Sequence, residues 1–524
     1  MNRLARTVLR IIPGVRLLVA RGKEVSAGVL GAEIGTWAAL SPSLLPRRPW
    51  QTALSVAGCQ SVGHAIAAAV HRFVGGFRTP HLPIAAITAL AVVRSVRKQN
   101  EIADLVESPR PTTRDLLSGA LMGTAGYAGF VIVGEAMKAQ FRLVRSIVRG
   151  LGERPLPHHP RFPYPALSAL AVTATTWLIG TRFLVVRRLA ARVTENAEKV
   201  NLMVNPKHPR PASPLRSGSP ASLMSWESLG AKGREFVSGD ARAITGQAIN
   251  WEEEPIRIYG GIGATVDEIL QEMDRTGAWA RDYLVIHIST GTGWVNPWSV
   301  SAAEIAARGR CASVSMQYSY LQSPIAYTVD RETPVTSARE LITAVLTRRS
   351  EGVYIAGESP LGAYGAASNA DLLERVDGAV FSGTPRFTPI ITTVSKPPHS
   401  MPVVDGGAHI RFLATPDHLD RDVFDRPYRS AWERPRIAFV QHPSDPVAFF
   451  DWPIFFLPPR WMRDHLPGAD RTNALLWWPL VTGWQLLVDM PTSHRQTGGH
   501  GHTYHEELLP IWQRVLDRRS STVE

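Results

Sequence analysis

The sequence predicts two parts: an all-α domain of membrane-spanning helices over residues 1–200, then an α/β domain over 246–524. The second part is expected to hold a mostly parallel sheet with helices on both faces. Three observations predict this. Apolar stretches recur through the first 200 residues, separated by short arginine clusters. The charge divides at the same point, with 26 Lys/Arg against 10 Asp/Glu in residues 1–200 and 31 against 35 in the remainder. From Glu254 onward, short β-rich runs alternate with helical stretches. A chain of 524 residues is also long enough for two hydrophobic cores.

Five stretches in the first part approach the roughly 20 apolar residues that a membrane-spanning helix needs. They are 25–45, 52–70, the shorter 80–96, 116–137 and 165–186, giving four or five spans. All are rich in Ala, Gly and Ser, which lets helices approach closely in lipid. Basic clusters between apolar runs suit loops at a membrane surface. A nucleic-acid-binding protein would instead gather its charge on a soluble face, and no recognition motif accompanies it here. Glu33, His64 and Glu135 fall inside the apolar runs and are expected to be paired within a helix-bundle interior, or, for Glu135, to lie near a helix end. The opening residues interrupt their apolar run with arginines, unlike a cleavable signal peptide. Two cysteines, Cys59 and Cys311, define neither a disulfide framework nor a thiolate metal site. Residues 201–245, rich in Pro, Ser and Gly, read as a linker.

In the second part the runs PIRIY, DYLVIHI, CASVSMQY, GVYIAG, DGAVFSG, HIRFLAT and RIAFVQH are strand-like. Helical patterns such as SAAEIAARG and SARELITAVLTRR lie between several of them. Buried strands joined by crossover helices make a parallel sheet, with functional loops at its carboxyl ends.

The chemistry concentrates on three such loops. GVYIAG runs into Glu358-Ser359-Pro360 and then a helical stretch, the setting of a nucleophile held at a strand-to-helix turn. In RIAFVQHPSDP, Asp445 follows a later strand, where a carboxylate can orient an imidazole; Asp405, Asp417 and Asp420 are weaker rivals. TGGHGHTYHEELLPIW supplies His500, His502 and His505 before the last helix. His500 is preferred for its glycine neighbours Gly499 and Gly501, and His502 is the alternative. No metal is expected, because carboxylate and cysteine companions at ligand spacing are missing around these histidines and His494. Upstream, Gly291-Thr292-Gly293 follows a strand and suits one side of an oxyanion hole, with Thr292 and Gly293 as donors. The run IYGGIGA lacks the third glycine of a dinucleotide loop, so no cofactor is expected.

The order Ser, Asp, His is that of the α/β-hydrolase fold. LSPSLLPRRPW, TGTGWVNPW, MQYSYLQS, GES with its following glycines, DGAVFSGTPRF, QHPSDPV and GHGHTYHEELLPIW together resemble a bacterial, largely actinobacterial, α/β-hydrolase family with an N-terminal multi-pass membrane domain. The resemblance implies Ser359, Asp445 and His500 as the catalytic residues. One departure stands out. The family's elbow reads G-E-S-L-G, whereas here Pro360 follows the serine. Proline has no N–H to give an oxyanion, so the next donor in line is Leu361.

The expected protein is therefore a multi-pass, membrane-anchored serine hydrolase of a bacterial cell membrane. It would cleave an ester or lipid-like small molecule, with membrane lipid as its other partner and no nucleic acid. One rival is a catalytically impaired hydrolase-like module used for binding or assembly at the membrane. Another is a transport-associated protein whose membrane half carries the function.

Overall fold

The computed structural model describes residues 27–74, 81–151, 198–246, 248–320, 331–357, 359–394 and 408–518, together with position 174. The chain divides into two compact units. The first comprises residues up to 41, 47–97 and 111–196; the second comprises 42–46, 98–110 and 197–524.

In the first unit, helix α1 (Ala27–Ala39) packs on α2 (Pro49–Val74), and α2 on α4 (Thr113–Leu151). Helix α3 (His81–Leu105) lies between α2 and α4 in sequence. Glycine makes these contacts possible. A Cβ on Gly31 would come 2.1 Å from the Gly63 carbonyl oxygen, and one on Gly63 would come equally close to Gly31 O. Gly119 and Gly123 meet Pro49 O and Ala53 O in the same way. Such small-residue seams let helices approach without bulky side chains between them. Polar groups satisfy one another inside: Gln60 Nε2 donates to Thr36 Oγ1 at 2.9 Å and to Thr124 Oγ1 at 3.1 Å. His64 Nδ1 lies 2.7 Å from the Tyr127 hydroxyl, and the Thr88 hydroxyl donates to buried Glu33. Leu90, Leu121, Phe130, Leu143 and Ile147 face outward.

Among the described residues, two helices are long and apolar enough to cross a membrane, over Pro49–His71 and Thr113–Ile147. Of the four or five expected spans, these two are supported among the described residues. Helix α3 carries Arg94, Arg97, Lys98, Glu101 and Asp104 in its second half. The expected span 165–186 lies outside the described residues apart from position 174.

The second unit is built on seven parallel strands: β1 (Ile256–Gly260), β2 (Tyr283–Ile288), β3 (Cys311–Met316), β4 (Val353–Gly357), β5 (Gly378–Ser382), β6 (Ile410–Leu413) and β7 (Arg436–Val440). Their order across the sheet is β1-β3-β2-β4-β5-β7-β6. Besides short helical turns at Ala241–Thr245, Ala370–Leu373 and Pro389–Val394, the helices in chain order are α5 (Gly230–Ser238), α6 (Val266–Thr276), α7 (Pro297–Ala306), α8 (Glu332–Arg348), α9 (Ser359–Ala367), α10 (Pro446–Phe449), α11 (Val481–Ser493) and α12 (Leu508–Leu516). Alternate strand residues serve opposite faces, as the period of two requires. Leu284 and Ile286 join the core under α5, α6, α8 and α9, while Val285 joins the core under α7 and α12. On that second face, Trp512 is fully buried and donates through its indole to Ser299 Oγ at 3.2 Å. A buried bidentate ion pair, Arg257 to Glu304 with both contacts at 2.7 Å, ties β1 to α7.

Residues 201–245 do not behave as a linker. Arg216 forms a parallel bridge with Arg257 at the β1 edge, and Arg234 donates to the carbonyls of Asn201, Leu202 and Met203. The Ser222 hydroxyl and Leu223 N–H both satisfy buried Glu272 of α6. Polar composition hid this, because the segment packs through hydrogen bonds rather than apolar periodicity. Two stretches from the first 200 residues also belong here. Leu44, Leu45 and Val106 share a core with Phe449, Phe450, Ile454 and Trp461. The Ser43 hydroxyl donates to Asp489, and Thr472 Oγ1 donates to Glu101 at 2.7 Å. The aromatic run DWPIFFLPPRWM thus contributes Ile454 and Trp461 to the core and leaves Trp452 and Phe456 exposed.

Candidate active site

Strand β4 ends at Gly357, and α9 begins two residues later at Ser359. Ser359 has φ +65°, a left-handed conformation rare for a residue with a side chain. Such strain persists only where surrounding packing enforces it. Two glycines do so here. A Cβ on Gly357 would lie 2.8 Å from Ala363 Cα, and one on Gly362 would lie 2.3 Å from Ile288 O. Helix α9 is thereby seated on the ends of β4 and β2. Pro360 fits the first turn, where its fixed φ is helical and its missing N–H has no partner to lose.

Beyond β7 the chain turns through Gln441 to Ser444, and Asp445 caps α10. The Asp445 carboxylate is fully buried. Its Oδ2 accepts from His502 Nδ1 at 2.7 Å and from the Tyr504 hydroxyl at 2.8 Å; Oδ1 accepts the Val447 N–H at 2.8 Å. Burial works against the charge, but His502, Tyr504 and Val447 outweigh it and hold the carboxyl below its usual range.

His502 lies over the exit of β5. A Cβ on Gly383, which has φ +62°, would meet its ring at 2.3 Å. Strand β5 pairs with β4 in register, Phe381 opposite Gly357. Gly383 and Ser359 each follow that matched pair by two residues, so the imidazole stands over the strand end next to the serine's own. With Nδ1 directed at Asp445, Nε2 is the nitrogen left for other work.

His500 is placed differently from the expectation. Its Nδ1 lies 3.0 Å from Asp470 Oδ2, not beside Asp445. Asp470 also accepts the Ser444 N–H at 3.0 Å and the Ser444 hydroxyl, and Ser444 Oγ accepts the Gly501 N–H at 2.8 Å. Positive φ at Gly499 and Gly501 turns the chain so that successive histidines face different carboxylates. Flanking glycines therefore permit the turn without choosing which imidazole meets Asp445. His442 braces the same loop from beneath, 2.9 Å from Gly501 O and stacked on Tyr504 at 4.3 Å. Burial disfavours its charge, but nearby Glu507 and Asp470 outweigh that and raise its pKa. His505 stacks on Trp298. Of the rival acids, Asp420 pairs with Arg514, Asp417 sits in a turn after β6, and Asp405 lies outside the described residues.

A model described as the alpha/beta-hydrolase family matches residues 256–524, and one for that family's N-terminus matches residues 40–240. The chain belongs to the alpha/beta-hydrolase family. No curated protein and no solved structure matches it. The first match begins at the first residue of β1, and its parallel sheet with flanking helices fits an alpha/beta-hydrolase domain. Family membership indicates a hydrolase.

In alpha/beta-hydrolases the loop beside the nucleophile lends an N–H to the oxyanion hole. Here that loop leaves β2 through Ser289 and Thr290. The Gly293 N–H, one of the two expected donors, is committed to Thr290 O at 2.9 Å. Tyr259 donates to Gly293 O at 2.7 Å and fills the space where a Cβ would sit. Gly293 is thus a turn residue, which leaves Thr292 on this loop. On the other side, Leu361 lies in the first turn of α9, where N–H groups have no intrahelical partner. Among the described residues no group of three or more His, Cys, Asp or Glu could hold a metal ion. Sequence reasoning missed Tyr504, Asp470 and Gly383, since nothing local marks a hydroxyl, a carboxylate or a glycine as a partner of this loop.

Proposed function

We propose that this protein is a membrane-anchored serine hydrolase that cleaves ester bonds, with a lipid-like ester as its substrate. Ser359 Oγ attacks the carbonyl carbon while His502 Nε2 takes the hydroxyl proton; Asp445 holds the imidazole in the required tautomer. The tetrahedral oxyanion is met by the Thr292 N–H, and Leu361, one residue beyond Pro360, is the next donor in line. Its collapse expels the alcohol, which takes the proton from His502, and leaves an acyl-enzyme that water then hydrolyses. The carrying observation is the buried Asp445–His502 pair over the strand next to a positive-φ serine at a strand-to-helix turn. Labelling by a fluorophosphonate tests it. The full-length protein in detergent is expected to label, and Ser359→Ala to abolish labelling. Equal labelling of both proteins would refute Ser359 as nucleophile.

Pro360 favours a second reading, an impaired hydrolase module used for binding, because the residue after the serine offers no N–H. A wild-type chain that is folded yet silent to the probe would select it.

Anchoring rests on α2 and α4, whose apolar windows are only 28% buried, unlike core helices of a soluble protein. A multi-pass arrangement is part of the proposal. The protein is expected to stay with membranes in alkaline carbonate and to leave them in detergent. Release by carbonate alone would remove the anchor from this reading.

A further inference from the structure

We propose that the segment leaving β5, residues 382–386, forms an anion subsite, and that the preferred esters carry a carboxylate or phosphate. The placement rests on the serine-hydrolase reading; the anion site itself does not.

Three side chains on this segment are buried with a polar atom that no hydrogen bond satisfies among the described residues: Ser382 Oγ, Thr384 Oγ1 and Arg386 Nη1. Ser382 is 1% exposed, Thr384 0% and Arg386 8%. Buried polar groups in folded proteins are usually paired; the β3 hydroxyls of Ser313 and Ser315 are left in the same way, so what singles this segment out is its charged member, Arg386. Arg386 is the most telling. Among the described residues no carboxylate lies at ion-pair distance from it; Asp451 and Asp464 act on it only from further away. Burial is the main influence on its guanidinium and pulls the pKa down to about 10, so it keeps its charge at neutral pH.

The location fits the chemistry. Gly383, in the middle of the segment, is the glycine covered by the His502 ring. The Arg386 N–H donates to Ala448 O at 3.0 Å, in the helix that Asp445 caps. The backbone of the segment is thus held between the imidazole and the acid's helix, at the carboxyl end of the sheet. A guanidinium fork with two hydroxyl donors is suited to a planar or tetrahedral oxyanion, which it can bind through several charge-assisted hydrogen bonds. Ordinary structural arginines of this unit differ. Arg257, more deeply buried, is matched by Glu304, and Arg436 is spent on backbone carbonyls.

Two measurements on the full chain in detergent decide the matter. First, mono-4-nitrophenyl glutarate and 4-nitrophenyl butanoate differ chiefly in the remote carboxylate. The ratio of their kcat/KM values is expected to fall about 10–100-fold in Arg386→Gln, the range for a charged hydrogen bond, with Arg386→Lys in between. An unchanged ratio overturns the proposal. Second, glutarate or inorganic phosphate is expected to raise the melting temperature of Ser359→Ala, and the rise is expected to vanish when Arg386→Gln is added. No rise with either anion, or an equal rise without Arg386, also overturns it. This arm needs no turnover, so it stands even if Ser359 proves unreactive. The larger of the two rises distinguishes a carboxylate from a phosphate ligand. Without ligand, Arg386→Met is expected to melt no lower than wild type, because it removes a buried charge that lacks a close counterion. A large loss of thermal stability would assign Arg386 to the fold instead.

Discussion

His502→Ala is expected to lower kcat/KM for an activated ester on the order of a million-fold, while His500→Ala lowers it less than tenfold. The first figure is the typical cost of removing a triad imidazole, because the serine loses its base and the leaving group its acid. The contrast follows from partners, not from sequence position. His502 Nδ1 is held at 2.7 Å by a fully buried carboxylate, over the strand beside Ser359. His500 spends the same nitrogen on Asp470, which is already engaged by Ser444. Losing His500 loosens the loop without removing a proton carrier, and a modest drop in melting temperature is its expected mark. Asp445→Asn is expected to cost on the order of ten thousand-fold, the loss when the orienting carboxylate is neutralised. Steady-state kinetics with circular dichroism as a folding control reads all three. A larger loss in His500→Ala than in His502→Ala would reverse the assignment. Because the folded pKa of Asp445 lies below its unfolded value, the stability it adds is present above about pH 4 and is lost as the pH falls through the folded value.

Deleting Pro360, which restores G-E-S-L-G, is expected to raise esterase activity and fluorophosphonate labelling about 100–1000-fold. That is the usual worth of one oxyanion donor. In the native chain the position after Ser359 has no N–H, and Leu361 stands one residue further into α9. Gly362, where a Cβ would come 2.3 Å from Ile288 O, keeps the helix where it is. The turn must therefore absorb the deletion, which moves the Leu361 N–H into the place next to the serine. Unchanged or lower activity would mean that the wild-type turn already directs Leu361 at the oxyanion. The comparison of wild type and deletion at equal folded fraction reads this directly.

All seven strands coincide with apolar runs visible in the sequence, from PIRIY for β1 to RIAFVQH for β7. A strand buried on both faces needs such a run wherever it lies in the sheet, so the pattern is local and readable. The same holds for the serine turn. Glycines at 357 and 362 are demanded by close backbone approach, and their spacing is written in the chain. Asp445 was legible too, since a capping aspartate after a strand is a local motif. What local pattern does not carry is pairing between distant segments. Whether Asp445 meets His500 or His502 depends on how two positive-φ glycines swing a loop more than fifty residues away. Gly293 reads as an oxyanion donor until Tyr259 and Thr290 are seen to hold it as a turn. Residues 42–46 and 98–110 sit in a helical, basic stretch of sequence, yet Leu44, Leu45 and Val106 complete a core around Trp461. Residues 201–245 look like a linker by composition and are tied down by Arg216, Arg234 and Glu272. Apolar content measures what a helix could bury, whereas the charges in the second half of α3 set that helix apart from α2 and α4.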